Sequence, residues 1–172
     1  MNRDAVILDE LEQDAREVAK RAYAPYSGFR VGAALRTRSG RTFTGCNVEN
    51  ASYGATTCAE RNAIAAAVAA GEQQITHIAI HTPTPHPVSP CGICRQVLLE
   101  FGRDIVVRSS CDGSGILLVT SADLLPHAFT SEDLAGESSA SATEPASRAD
   151  DPFGDDPRTE VIRPPGVRTP QD

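Results

Sequence analysis

The chain has 172 residues, of which 40 % are hydrophobic and 23 % are charged, and its formal net charge at pH 7 is −7. This length and composition predict a globular protein built on one ordinary domain. The acidic balance argues against nucleic acid as the main partner, because polyanion binding depends on many lysine and arginine contacts. No apolar run approaches the length that spans a bilayer, and the first residues lack the apolar segment of a signal peptide. We therefore expect a cytoplasmic protein with no membrane partner.

Three helices and a short helical turn are predicted from apolar periodicity and from residues typical of helix ends. Gly71 suits the C-terminal end of the second helix. Ser89 and Pro90 suit the N-cap and the first position of the third helix. The predicted helices cover residues 5–22, about 57–70 and 89–102, and the short turn lies within residues 121–129.

Five strands are predicted around these helices. The first two are joined at Ser39-Gly40, a pair typical of a hairpin turn. A hairpin followed by strands that alternate with helices predicts the α/β class, in which a mixed sheet carries helices on its faces. The predicted strands cover residues 29–37, 41–49, 75–82, 104–109 and 115–121.

The composition changes at about residue 136. The segment that follows is rich in Ser, Pro, Asp and Glu and has almost no apolar pattern. Such a segment cannot bury enough apolar surface to offset the entropy lost on ordering it. We therefore predict a folded domain over residues 1–135 and a disordered acidic tail over residues 136–172.

Three cysteines lie at the starts of the second and third predicted helices: Cys58, Cys91 and Cys94. At a helix start, free N–H groups and the helix dipole stabilise thiolates, and this arrangement suits zinc. The spacing leaves open a redox-active Cys91–Cys94 pair. It also leaves open a structural zinc site with His81 or His86 as the fourth ligand. Three protein ligands and one open position would instead indicate a catalytic zinc.

Glu60 follows Cys58 by two residues on the first turn of the second predicted helix. An acid at this position can be explained by the helix dipole alone. A carboxylate beside a zinc ion with an open position is also what a water-activating enzyme needs. Glu60 therefore favours the catalytic interpretation of the cysteines.

The motifs "CAERNAI" and "PCGICRQVLLEF" together resemble the zinc-dependent cytidine deaminases, whose motif can combine a Cys₃ zinc site with a glutamate that is not a ligand. The stretches "YAPYSGFRVGAAL", "GCNVENASYG" and "LLPHAF" extend the resemblance, in the same order, to about residues 15–135. It implies a three-layer α/β/α fold with a mixed five-stranded sheet, and a catalytic domain over residues 1–135. It also implies hydrolytic deamination of cytidine and deoxycytidine to uridine and deoxyuridine, with release of ammonia, in pyrimidine salvage.

The resemblance implies a metal centre made by a small set of side chains. Cys58, Cys91 and Cys94 would bind one Zn²⁺ per subunit, and Glu60 would move protons between water and substrate. Three thiolates leave a net negative charge around Zn²⁺, and Arg61 would offset it by hydrogen-bonding to the ligand sulfurs.

The resemblance also implies a set of substrate contacts. Phe29 would contact the base, and the backbone at Ala59 would read the pyrimidine edge. Asn47 and Glu49 would hydrogen-bond the ribose hydroxyls; a spacing of two places them on one face of a strand end. The alternative for this pair is an Asx turn and a solvated acid. Phe129 would reach the active site of a neighbouring subunit in a homotetramer with shared sites.

Three other functions are alternatives to this one. A deaminase of nucleoside antibiotics of the blasticidin S type shares the zinc and glutamate motifs, although Glu49 favours an ordinary nucleoside. A non-catalytic, zinc-stabilised module would need a fourth protein ligand and would not depend on Glu60. Polynucleotide editing fits poorly with the acidic balance and with the absence of an aromatic and basic surface motif.

Overall fold

The structure, a computed structural model, describes residues 3–134. The predicted domain end at residue 135 and the predicted tail over residues 136–172 lie outside the described residues. Five strands are present: β1 (Gly32–Thr37), β2 (Thr42–Cys46), β3 (Ile75–Thr82), β4 (Val106–Cys111) and β5 (Leu117–Thr120). They form one sheet in the order β2-β1-β3-β4-β5. Strands β3 and β4 are parallel and the other neighbours are antiparallel, so the predicted mixed sheet is confirmed.

The helices lie on both faces of this sheet. They are α1 (Arg3–Ala19), α2 (Ala59–Ala69), α3 (Gly92–Phe101), α4 (Ser121–Leu124) and α5 (Ser131–Leu134), with a 3-10 turn at Tyr53–Ala55. Leu11 and Ala15 of α1 pack on Ala34 and Ala79 of the sheet. Helices α2 and α3 pack on the opposite face, over the alternate residues of the same strands. The α/β/α layering is therefore confirmed. Within residues 3–134, every helix is too short or too polar to cross a membrane.

Small residues bring α2 close to the sheet. A Cβ atom added at Gly45 of β2 would lie 2.4 Å from the backbone nitrogen of Ala63 and 2.5 Å from the backbone oxygen of Ala59. At the other end of α2, Gly71 has a φ of +84°. Its N–H bonds to the Val68 carbonyl at 3.0 Å and terminates the helix, as predicted.

The third helix begins later than predicted. Ser89 and Pro90 are not its N-cap and first residue, because Cys91 is the N-cap, with φ −65° and ψ 163°. The first backbone bond of the helix runs from the Arg95 N–H to the Cys91 carbonyl at 3.0 Å. The side chain of Arg95 also donates to the Pro90 carbonyl, at 2.7 Å, so Pro90 lies on the turn that leads into α3.

Candidate metal centre and active site

The N-termini of α2 and α3 bring three cysteines together. Cys58 is the N-cap of α2, Cys91 is the N-cap of α3, and Cys94 lies in the first turn of α3. Their sulfur atoms all lie within 4.8 Å of one another, and all three are free thiols. The two N-cap sulfurs are 3.8 Å apart. The positive dipole ends of two helices therefore meet at one cluster of sulfurs.

The sulfur cluster fits a zinc ion. Two sulfurs that share a tetrahedral zinc at a Zn–S distance of about 2.3 Å lie roughly 3.8 Å apart, which matches Cys58 and Cys91. Among residues 3–134, no further His, Cys, Asp or Glu joins the three cysteines in this group. His81, one proposed fourth ligand, instead lies 3.2 Å from Asp112 Oδ1. The described residues therefore form a three-thiol cluster that is compatible with zinc, and they give no support to the four-ligand structural alternative.

The thiols of the cluster share hydrogen bonds and so differ in proton affinity. A hydrogen bond from the Cys94 thiol lowers the pKa of Cys58 to about 5, and the Arg61 guanidinium adds to this effect. The pKa of Cys94 is raised because its proton is held by Cys58. Negative charge is therefore concentrated on Cys58, at the positive end of the α2 dipole.

Arg61 is the cation nearest to this charge in the hydrogen-bond network. Its Nη2 lies 3.7 Å from Cys58 Sγ and donates to the Thr56 carbonyl at 3.0 Å. The contact with Cys58 raises the pKa of Arg61. The Nε atom of Arg61 is buried and finds no hydrogen-bond partner among the described residues. The guanidinium is therefore held by the loop before α2 and by the sulfur of Cys58.

Glu60 is the second residue of α2 and is only 4 % exposed. Burial raises the pKa of its carboxyl, and the negative charge of Cys58 raises it further. Its own N–H and the Cys94 thiol partly offset this by hydrogen bonding. A buried carboxyl beside a metal site, with its pKa moved towards neutrality, is suited to accept and return protons.

Asn47 lies just beyond β2, which ends at Cys46 and is shorter than predicted. Its side chain is buried, with 8 % of the residue exposed. Its Oδ1 accepts from the Val31 N–H and its Nδ2 donates to the Phe29 carbonyl, both at 2.8 Å. These bonds join the segment before β1, which begins at Gly32 rather than at residue 29 as predicted, to the end of β2. The amide of Asn47 therefore anchors the segment that carries Phe29.

Glu49 binds the same segment from the other side. Its Oε2 accepts from the N–H groups of Tyr26 and Ser27, at 2.9 and 3.2 Å, and its Oε1 accepts from the Ser27 hydroxyl. The Ser27 hydroxyl, followed by the Tyr26 N–H, lowers the pKa of Glu49. Ser27 is not among the site residues predicted from the sequence. The only local signal is the turn residue Gly28 beside it, because its partner Glu49 lies 22 residues away.

The remaining predicted site residues occupy different environments. Ala59 is fully buried between Cys58 and Glu60, whereas the side chain of Phe29 is partly exposed. Phe129 is 60 % exposed, and its carbonyl accepts from Gln96 of α3 at 2.8 Å. The structure thus brings the three cysteines, Glu60 and Arg61 together, links the segment of Phe29 to Asn47 and Glu49, and leaves Phe129 on the surface of the chain.

The chain is similar to proteins of one family. Residues 7–109 match the family model described as the cytidine and deoxycytidylate deaminase zinc-binding region. A cytidine deaminase of Halalkalibacterium halodurans is 44 % identical over 125 residues, which cover 72 % of this chain and 95 % of that protein. A probable cytidine deaminase of Dictyostelium discoideum is 45 % identical over 130 residues, which cover 73 % of this chain and 88 % of that protein.

Solved structures agree with these relatives. The crystal structure of cytidine deaminase from Burkholderia pseudomallei matches with a TM-score of 0.68 at 45 % identity, and covers 70 % of this chain and 98 % of that chain. The cytidine deaminase from Mycobacterium tuberculosis matches with a TM-score of 0.63 at 40 % identity, and covers 71 % of this chain and 96 % of that chain. The sulfur cluster, the fold and these matches agree, and the chain belongs to the zinc-binding cytidine and deoxycytidylate deaminase family.

Proposed function

We propose that this protein is a zinc-dependent cytidine deaminase. It converts cytidine or deoxycytidine and water to uridine or deoxyuridine and ammonia, a reaction of pyrimidine salvage. The observation that carries the proposal is the buried carboxyl of Glu60, which lies on the same helical turn as Cys58 of the three-thiol cluster. Relatives named cytidine deaminase, at 44 % and 42 % identity over most of their own lengths, support the choice of substrate.

Three residues would hold the metal. Cys58, Cys91 and Cys94 supply the thiolates, and the geometry of the cluster leaves a position for a ligand that is not a protein side chain. When bound, Zn²⁺ supplies a Lewis acid that makes water a nucleophile at neutral pH. Arg61 stabilises the thiolate form of Cys58 and so keeps this ligand ready to bind the ion.

Glu60 would perform the proton transfers. It takes a proton from the water that adds to C4 of cytosine and gives a proton to N3 of the ring. It then carries the proton of the new C4 hydroxyl to the amino group. The C4–N bond breaks, ammonia leaves, and C4 becomes the carbonyl carbon of uracil. Burial favours this role because the raised pKa of Glu60 makes its carboxylate a stronger base than an exposed one.

The substrate would lie between the metal site and the segment anchored by Asn47 and Glu49. Phe29 contacts the base, and the backbone at Ala59, next to Glu60, reads the pyrimidine edge. Asn47 and Glu49 bind the sugar hydroxyls. The lowered pKa of Glu49 supports its part, since an ionised carboxylate is a strong acceptor for a hydroxyl.

The active enzyme would be a homotetramer in which Phe129 completes the site of a neighbouring subunit. Exposed aromatic residues support this assembly: Phe129 is 60 % and Tyr53 is 76 % exposed in the single chain. Light scattering of the zinc-loaded protein tests it, and a mass equal to one chain would contradict it.

The cytoplasm is the expected compartment, because free thiols in close contact persist where the surroundings are reducing.

Replacing Glu60 with Gln tests the proposed chemistry. The amide keeps the shape of the side chain but cannot carry a proton, so kcat should fall by at least about 100-fold, with zinc content unchanged. Ammonia release and the change in ultraviolet absorbance of cytidine measure the rate. Glu100→Gln, an exposed change on α3, is the control.

The two parts of the proposal can fail separately. If the wild-type protein releases no ammonia from cytidine or deoxycytidine, the proposed function is wrong. If the wild type is active and Glu60→Gln is equally active, the function stands and the assignment of the proton transfers to Glu60 is wrong.

A further inference from the structure

A hydrogen-bonded turn lies beside the proposed sugar-binding carboxylate. We call Tyr26, Ser27, Gly28 and Phe29 the 26–29 turn. Gly28 has a φ of +68°, which favours glycine, and its N–H bonds to the Ala24 carbonyl at 3.0 Å. The turn meets Glu49, which follows β2 and lies far away in the sequence. Its conformation therefore depends on a tertiary contact as well as on its own residues.

Three donors of this turn occupy the carboxylate of Glu49. They are the N–H of Tyr26, the N–H of Ser27 and the hydroxyl of Ser27. A carboxylate offers about four acceptor positions. Both positions of Oε2 are filled, and Oε1 keeps one position beside the bond from Ser27. Glu49 is thus held in one orientation, with one position left for a sugar hydroxyl.

The Ser27 hydroxyl has a second partner. It accepts a hydrogen bond from the Phe29 N–H at 2.9 Å while it donates to Glu49. One hydroxyl therefore connects the carboxylate proposed to bind the sugar with the residue proposed to contact the base. The amide of Asn47 holds the Phe29 carbonyl at 2.8 Å, so Phe29 is fixed at both of its backbone polar groups.

We propose that Ser27 is a positioning residue for the nucleoside, a role that rests on the proposed function. Its hydroxyl orients Glu49 so that one acceptor position faces a single sugar hydroxyl, and it holds Phe29 in place for the base. Ser27 acts through these two residues and takes no part in the proton transfers at C4. Its loss should therefore weaken substrate binding and leave the chemical step nearly unchanged.

Ser27→Ala tests this role through the split between KM and kcat. Loss of one hydrogen bond to a charged group should raise the KM for cytidine about 10-fold, with kcat within about 3-fold of the wild type. Ser27→Thr keeps the hydroxyl and should restore KM. Ser39→Ala is the matched control, because Ser39 also donates to a carboxylate, that of Glu72, at 2.7 Å, but at the hairpin turn outside the site.

Two further measurements separate positioning from a general structural effect. In a Glu49→Gln background, Ser27→Ala should raise KM by much less than 10-fold, since its effect passes mainly through Glu49. Carboxyl NMR titration should show that the pKa of Glu49 rises in Ser27→Ala and stays low in Ser27→Thr. The titration needs no catalytic activity, and it tests the contact itself.

The outcomes are distinct. If the wild type is active but Ser27→Ala leaves KM or the pKa of Glu49 unchanged, the proposed role of Ser27 is wrong. The proposed function then still stands. The role of Ser27 is also wrong if Ser27→Ala raises KM by the full 10-fold in the Glu49→Gln background. A wild type that does not deaminate cytidine overturns the proposed function, and the role of Ser27 with it.

Discussion

Cys58, Ala59, Glu60 and Arg61 share one helical turn, yet their side chains meet four different environments. Successive residues of an α-helix point in directions about 100° apart. Ala59 therefore lies against the sheet, Cys58 faces the other thiols, Glu60 is buried beside them, and Arg61 reaches back to the loop before α2. Because the helix geometry separates these side chains, a single turn can present a thiol, a buried carboxyl and a guanidinium to different surroundings, as the proposed roles of Cys58, Glu60 and Arg61 require.

Arg61 is predicted to strengthen metal binding through its contact with Cys58. Removal of the guanidinium in Arg61→Ala leaves the thiolate charge without its nearby cation and should lower zinc affinity about 10- to 100-fold. Arg61→Lys keeps the positive charge but loses the guanidinium whose Nη2 reaches both Cys58 and Thr56, so its zinc affinity should fall less than that of Arg61→Ala. Competition with a colorimetric chelator measures the affinity. Equal affinity in Arg61→Ala and the wild type would remove this role.

At the scale of the elements, the close packing of α2 on β2 determines where the N-terminus of α2 lies. Gly45 allows the backbones to approach, and Asn62 of α2 donates to the Cys46 carbonyl at 2.8 Å. The buried alanines of α2 (Ala59, Ala63 and Ala67) serve the same approach, since larger side chains would lift the helix away from the sheet. The cysteine and the glutamate at the helix start are thus positioned by the close packing of the first turns of α2 on β2.

Gly45→Ala should disturb this placement. The added methyl group would meet backbone atoms of α2 at 2.4 and 2.5 Å, so the helix must move. We expect the free energy of unfolding to fall by about 1–3 kcal/mol, and zinc affinity to fall with it. Urea unfolding and chelator competition measure the two effects. Gly54→Ala is the control, because its methyl group would meet nothing within 4 Å. Equal losses in both variants would contradict the explanation by close approach.

At the scale of the whole molecule, a charged network joins α1 to the sheet. Arg108 of β4 is buried and pairs with Asp9 of α1 at 2.7 Å. His81, at the end of β3, contacts Asp112 at 3.2 Å, and Arg16 of α1 lies 3.8 Å from the same carboxylate. These contacts connect residues of α1, β3 and β4, so they form only when the whole domain is folded.

His81 is predicted to make stability depend on pH. Burial lowers the pKa of His81, and the charge of Arg16 lowers it further, while Asp112 and Glu12 oppose the shift. Below the ordinary value of about 6.5, the unfolded chain binds the proton more readily than the folded one. The free energy of unfolding should therefore fall as the pH drops from about 6.5 through the lowered pKa of His81 in the folded protein.

His81→Gln should reduce this dependence. Urea unfolding of the zinc-saturated protein at about pH 7.5 and about pH 5.5 should show a smaller difference for the variant than for the wild type. Proton competition at the thiols affects both proteins and cancels in the comparison. The pKa of His77 is also lowered by burial, so part of the pH dependence of the free energy of unfolding should remain in His81→Gln. Equal slopes in the two proteins would contradict the contribution of His81.

Much of the fold and of the metal centre was predictable because their signals are local. The Ser39-Gly40 pair predicted the hairpin of the first two strands, and Gly71 predicted the end of α2. The C-x-x-C pair and Cys58, each at a helix start, predicted the cluster that the structure contains. The beginning of α3 was mispredicted at Ser89 and Pro90, because a favourable N-cap sequence lies only two residues before the N-cap that the chain uses.

The sequence by itself determined the class of fold, the three cysteines at helix starts and the acid beside one of them, because helix periodicity and short spacing carry that information. Only the tertiary structure decided which partners the polar side chains have. Ser27 meets Glu49 across 22 residues, and the thiol of Cys58 meets that of Cys91 across 33. Hydrogen-bond partners so far apart in the chain depend on how helices and strands pack, and no local pattern of residues specifies them.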